Sequence, residues 1–132
     1  MAVRFLSRLG VVTALVIGWA CAAPSGGPGL RVTASAYNSL PGQTDSDPNL
    51  TAWGDRLEPG VRAIAVSRDL IPMGLRHGTR VRIDGLPGEY RVLDKMGKRW
   101  TRKIDIYMGV DIDAARRWGV RPVTIRWRPS GR

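Results

Sequence analysis

From Leu30 onward the chain is divided into short segments rich in Val, Ile and Thr, separated by Gly, Pro, Asn and Asp. That rhythm is the signature of a β-rich domain, because β-branched side chains suit a pleated surface and the intervening residues suit turns. The segments Arg31–Tyr37, Arg62–Val66, Thr79–Asp84, Gly88–Leu93, Lys103–Tyr107 and Pro122–Trp127 are read as strands. In Thr79–Asp84 apolar and polar residues alternate, so Val81 and Ile83 face a core and the other face is cationic. The turn at Gly85-Leu86-Pro87-Gly88 makes Gly88–Leu93 its hairpin partner. In Lys103–Tyr107 the isoleucines alternate with Asp105, which turns the aspartate away from the core. Pro122–Trp127 places Val123, Ile125 and Trp127 on one face.

One short helix interrupts the strands. Asp111 is its expected N-cap, Ala114, Ala115 and Trp118 its body, and Gly119 its stop. Asp111 and Asp113 are thereby explained as a cap and a favourable charge at the positive end of the helix dipole. Six short strands with one small helix predict an all-β domain closed into a barrel. With 132 residues in the chain, one core is expected.

The first residues follow a different logic. Arg4 and Arg8 flank a short apolar run, Leu9–Ala20, followed by small residues. The run falls short of the roughly 20 residues a membrane-spanning helix needs, and the layout matches a secretory signal peptide over 1–22. Ala20-Cys21-Ala22 offers a cleavage site, with lipidation at Cys21 as the alternative. Residues 23–29 read as a Pro/Gly-rich linker, 30–128 as the barrel, and 129–132 as a tail. The expected destination is the periplasm or outer membrane of a bacterium.

Cys21 is the only cysteine and His77 the only histidine, so the domain has no disulfide, cysteine nucleophile or multi-histidine metal site; no metal or other cofactor is expected. His77 is assigned to an exposed loop without a role. The formal charge is +10, and every acidic residue lies beyond position 44. Such a balance suits a polyanion. An exported chain would meet it in the cell envelope, as wall peptide carboxylates or lipid phosphates, rather than as nucleic acid.

In this order, Thr33–Tyr37, Thr51–Gly54, Ile64–Val66, Ile71–Gly74, Val92–Gly97, Ile104–Tyr107 and the helix and strand ending at Trp127 resemble the 3D domain. That family is named for three aspartates and occurs in bacterial cell-wall enzymes such as membrane-bound lytic transglycosylase A, with rare lipoprotein A and expansins as distant relatives. The resemblance implies a six-stranded double-psi β-barrel. It also implies that Asp94 and Asp105 face each other in a substrate cleft, with Asp105 as the catalytic acid/base. The third family position is occupied by Ser67, with Asp69 displaced by two.

A lytic transglycosylase needs one carboxyl group to protonate the leaving oxygen and then accept the proton of the sugar's own 6-hydroxyl. Its substrate is the peptidoglycan glycan strand, cleaved between N-acetylmuramic acid and N-acetylglucosamine. For that work Asp105 must hold a proton above its usual pKa of about 3.9, and a nearby Asp94 with burial would push it there. Tyr37, Thr51, Gly54, Trp100, Arg102 and Tyr107 are candidate substrate-binding residues, with Trp53 a further aromatic. Arg99, Arg102 and Lys103 are read as facing substrate carboxylates. A monomer associated with the outer membrane is expected. The alternative to cleavage is a barrel that binds or loosens wall glycans, as expansins do, without cutting them.

Overall fold

The computed structural model describes residues 29–40 and 49–128. The expected leader, most of the linker, the tail and residues 41–48 lie outside the described residues. No helix among the described residues is long and apolar enough to cross a membrane.

Six strands close into a barrel: β1 (Leu30–Tyr37), β2 (Ala63–Val66), β3 (Arg80–Ile83), β4 (Tyr90–Lys95), β5 (Lys103–Tyr107) and β6 (Arg121–Trp127). Around the ring the order is β1-β5-β2-β4-β3-β6. Two pairs, β1 with β5 and β2 with β4, are parallel, and the remaining contacts are antiparallel. This is the double-psi barrel that the resemblance implied, and its closure leaves no free sheet edge. Every predicted strand is present, with small shifts at the ends.

Alternation sorts each strand into an inner and an outer face. Ile64 and Val66 of β2, Val81 and Ile83 of β3, Ile104 and Ile106 of β5 and Ile125 of β6 are at most 1% exposed and fill the barrel. A second apolar cluster lies on the outside, where Leu57, Ala63 and Tyr107 are buried against Tyr37, Val61 and Leu93. The helix α1 (Ile112–Trp118) sits on the surface, capped by Asp111, whose side chain accepts from the Ala114 amide at 2.9 Å. Trp118 ties it to the barrel by donating its indole N–H to the Ala34 carbonyl. A single 3-10 turn, Arg68–Leu70, follows β2.

One buried polar residue holds the loops together. Asn38, 7% exposed, directs its amide nitrogen at the carbonyls of Met108, Gly109 and Asp111, at 3.0–3.3 Å. It thus fastens the end of β1 to the chain leaving β5. Alanine at this position would strand buried carbonyls, and a loss of about 1–3 kcal/mol is expected in urea unfolding. An unchanged midpoint would show that water replaces the amide without cost.

Candidate functional site

Hydrogen-bond register places the two predicted acids in one row. Ser35 of β1 pairs with Asp105 of β5, Asp105 with Ala65 of β2, and Ala65 with Asp94 of β4. The row Ser35-Asp105-Ala65-Asp94 therefore crosses four strands on the outer wall. One strand separates the two aspartates, putting their backbones roughly 10 Å apart. Between them stands Ala65, whose small side chain is 5% exposed.

A β-bulge makes this alignment possible. Ile64 pairs with Val92, but Ala65 pairs with Asp94, so Leu93 is the extra residue of β4. Without it, strict alternation would put Asp94 on the barrel interior with Val92; the bulge re-aims it outward. Leu93 meanwhile packs into the external apolar cluster. The strand reading of Gly88–Leu93 stopped at this residue, whereas β4 continues to Lys95.

Asp94 is fixed by backbone amides. Its Oδ1 accepts from Lys95 N and from Ala52 N, both at 2.9 Å. The second bond comes from the 49–57 hairpin, which closes over the row. Thr51 shapes that hairpin: it is buried, its hydroxyl accepts from the Asp55 amide at 3.0 Å, and its own amide reaches Asp55 O. Gly54 supplies a φ of 86° at the turn, a conformation that side chains disfavour. Both predicted binding residues thus position the loop that holds Asp94. His77, given no role from sequence, contacts Asp55 through its ring and receives Trp53 edge-on at 5.3 Å. These contacts pin the hairpin to the loop before β3.

Asp105 has a different environment. Its Oδ1 accepts from Ser35 Oγ at 2.8 Å. Burial, aided by the charge of Asp94, raises its pKa, against the lowering effects of the Ser35 hydrogen bond and Lys103. Tyr37, on the same face of β1 as Ser35, tilts against Tyr107 with ring centroids 5.4 Å apart. Its hydroxyl is buried without a hydrogen-bond partner among the described residues. Burial above all, then the fields of Asp94 and Asp105, drive its pKa far above the usual value, so the O–H keeps its proton. A buried donor without an acceptor is costly. Tyr107 is more deeply buried and spends its hydroxyl on Ser39, at 2.7 Å.

Raising an acid's native pKa makes stability fall with pH. Between the ordinary value near 3.8 and the native one, the folded state binds more protons than the unfolded state, so unfolding becomes easier as pH rises through that window. Asp69 works in the opposite sense. Desolvation is the largest single influence and would raise its pKa, but hydrogen bonds from the Ser67 hydroxyl and from the Arg102 and Asp69 amides, with the Arg102 charge, together lower it, so its contribution is lost as pH falls below about 3.8. Asp105→Asn is accordingly expected to remove the decline above pH 4 and to stabilise the domain at pH 7 by about 0.5–2 kcal/mol, a range typical of single stabilising changes. Thermal melts from pH 4 to pH 8 check this; a variant that melts no higher than wild type at pH 7 contradicts it.

The basic segment after Asp94 does not line the groove as an open platform. Trp100 is exposed, but Lys103 Nζ lies 3.7 Å and Arg99 Cζ 4.6 Å from its ring centroid. These cations already use its π-surface. Arg102 is the only non-glycine with positive φ among the described residues, at 45°, and its amide bonds Asp69 Oδ2 at 2.9 Å. Ser67, at the third family position, is fully buried and joins β2 to β5, its hydroxyl accepting from Lys103 N at 2.9 Å. No third acid enters the row. Among the described residues, no three His, Cys, Asp or Glu side chains are grouped to hold a metal ion.

No protein-family model matches the chain, and no curated protein is significantly similar to it. Solved structures of similar fold exist. An expansin from Clavibacter michiganensis superposes with a TM-score of 0.51 at 18% identity, covering 80% of this chain and 52% of the expansin. A substituted form of that expansin in complex with cellohexaose gives 0.50 at 17% identity, covering 80% of this chain and 54% of the other. A Streptomyces papain inhibitor gives 0.54 at 17% identity, covering 78% of this chain and 96% of the inhibitor. The chain thus spans about half the length of the expansins it matches. At these identities the likeness is one of fold.

Proposed function

We propose that this domain binds cell-wall polysaccharide in the groove across β1, β5, β2 and β4, and loosens or holds the glycan without cleaving it. The observation that carries the reading is the row Ser35-Asp105-Ala65-Asp94, flanked by a Tyr37 hydroxyl without a hydrogen-bond partner among the described residues. Sugar hydroxyls are both donors and acceptors. The Asp94 and Asp105 carboxyl groups and the Ser35 hydroxyl, set side by side along one row, offer both kinds of partner. One fact favours binding over cleavage. Ser67 is buried under the β2–β5 junction, so the three-acid set of the 3D domain is incomplete here. The cellohexaose complex among the solved neighbours adds support for a glycan ligand. The envelope of a bacterium, reached by export through residues 1–22, is the proposed setting, and peptidoglycan strands are the proposed ligand.

One observation favours a second reading, lytic transglycosylase of the 3D type. Asp105 is buried beside a second acid and holds its proton more tightly than an ordinary aspartate, as a general acid must.

Incubating the protein with purified sacculi separates the two. Binding predicts co-sedimentation with no new soluble muropeptides by mass spectrometry. Anhydromuramyl products that vanish in Asp105→Asn would establish the transglycosylase instead. New reducing ends would mark a hydrolase, and failure to sediment would remove both readings. Inhibition of papain by the same preparation, without sedimentation, would favour an inhibitor role.

A further inference from the structure

Outside the Ser35–Asp94 row, β3 and the neighbouring parts of β4 and β6 carry a cationic array of another kind. In the ring order, β3 and β6 lie across the barrel from β5 and β2. Arg80 of β3 stands directly opposite Arg91 of β4, and Arg82 of β3 directly opposite Arg126 of β6. All four point outward, because they alternate with the core residues Val81, Ile83, Val92, Ile125 and Trp127. Arg31 and Arg128, both exposed, extend the patch along β1 and beyond β6.

Like charges placed directly opposite on neighbouring strands destabilise a sheet, and here two such pairs adjoin. Only part of the charge is neutralised. Asp84 receives Arg126 through two 3.3 Å bonds, and Glu89 lies 3.9 Å from Arg80, a solvent-exposed and therefore weak pair. Arg82 and Arg91 have no ion pair among the described residues.

Cation type is also segregated. The chain's three lysines, Lys95, Lys98 and Lys103, all sit on the segment beside the groove, whereas this wall is arginine throughout. Arginine differs from lysine in presenting a planar fork that grips an oxyanion through two parallel bonds. The Cβ atoms of the paired arginines are about 5 Å apart across strands, and the residues of one strand are about 7 Å apart along it. Such a band can take several anionic groups of one linear polymer at once.

We propose that this arginine wall is a second binding surface, for a phosphate-bearing linear polymer of the cell envelope, separate from the glycan groove. A bilayer surface fits less well. The large apolar side chains exposed on the domain, such as Leu50, Met73, Val110, Ile112 and Val120, all lie outside β3, β4 and β6, so the wall has nothing to insert among lipids. Binding through several guanidinium–phosphate pairs releases counterions and must weaken steeply with salt.

The test uses the full chain with long-chain inorganic polyphosphate as probe, titrated calorimetrically at several salt concentrations. Polygalacturonate, a linear polycarboxylate, and phosphatidylglycerol vesicles and duplex DNA, which present phosphates on a bilayer and on a stiff double helix, serve as competitors. Wild type should bind polyphosphate ahead of all three. The double variant Arg82→Gln/Arg91→Gln should bind at least tenfold more weakly, with the slope of log K against log salt reduced by about 2. Its melting temperature should equal or exceed that of wild type, since like-charge contacts are removed. Asp94→Asn should leave polyphosphate binding unchanged. The proposal is overturned if the double variant binds as wild type does, if it melts lower and so shows the arginines to be structural, or if polygalacturonate, vesicles or DNA bind more tightly than polyphosphate.

Discussion

Asp94→Ala is expected to lower affinity for sacculi by about 10- to 100-fold, the loss that follows from removing a charged hydrogen-bonding group worth roughly 1.5–3 kcal/mol. Two effects combine. The carboxylate leaves the groove, and the Ala52 amide loses the acceptor that draws the 49–57 hairpin over the row. Asp94→Asn separates them, since an amide oxygen still accepts from Ala52 and Lys95 while the charge is gone. The asparagine variant should keep the hairpin in place, read from an unshifted Ala52 amide resonance, and bind with intermediate affinity. In both variants the Asp105 pKa should drop, because the Asp94 charge helps to raise it. Equal affinities for wild type and Asp94→Ala in co-sedimentation would remove Asp94 from the site.

Ile64→Ala should be the most damaging change to the fold. Ile64 is fully buried on the short strand β2, between Ile106 of β5 and Val92 of β4. Truncating a buried isoleucine costs about 2–5 kcal/mol, through lost transfer energy and the cavity left behind. For a domain of this size that corresponds to a fall in Tm of about 8 °C or more. Since Ile64 also precedes the bulge that re-aims Asp94, binding should weaken even where the variant remains folded. A shift below about 3 °C would mean that the barrel collapses onto the vacancy without penalty.

Strands were the legible part of this chain. Alternation in Arg80–Ile83 and Lys103–Tyr107 is local, so the core positions Val81, Ile83, Ile104 and Ile106 follow from period two alone. The cap at Asp111 and stop at Gly119 are equally local. What alternation does not encode is which strand lies beside which. The meeting of Asp94 and Asp105 across Ala65 depends on β2 lying between β4 and β5, a non-local pairing that only the resemblance to a known barrel suggested. The bulge at Leu93 was hidden for the same reason, since one extra residue is visible only against its partner strand. His77 reads as a loop residue because its partner, Asp55, stands far along the chain, and the partners of Asn38, at 108–111, are equally remote. Trp100 read as a platform for sugars; the nearby basic residues hinted at its actual neighbours, Arg99 and Lys103.

The central claim is that one outer-wall row, and not the rest of the surface, receives the glycan. Amide and side-chain NMR spectra of the labelled domain, recorded during titration with soluble peptidoglycan fragments and with cellohexaose, test it most directly. Shifts should concentrate at Ser35, Tyr37, Ala52, Ala65, Asp94 and Asp105, and should disappear in Asp94→Ala. Shifts confined to β3 and β6, or none at millimolar ligand, would contradict it.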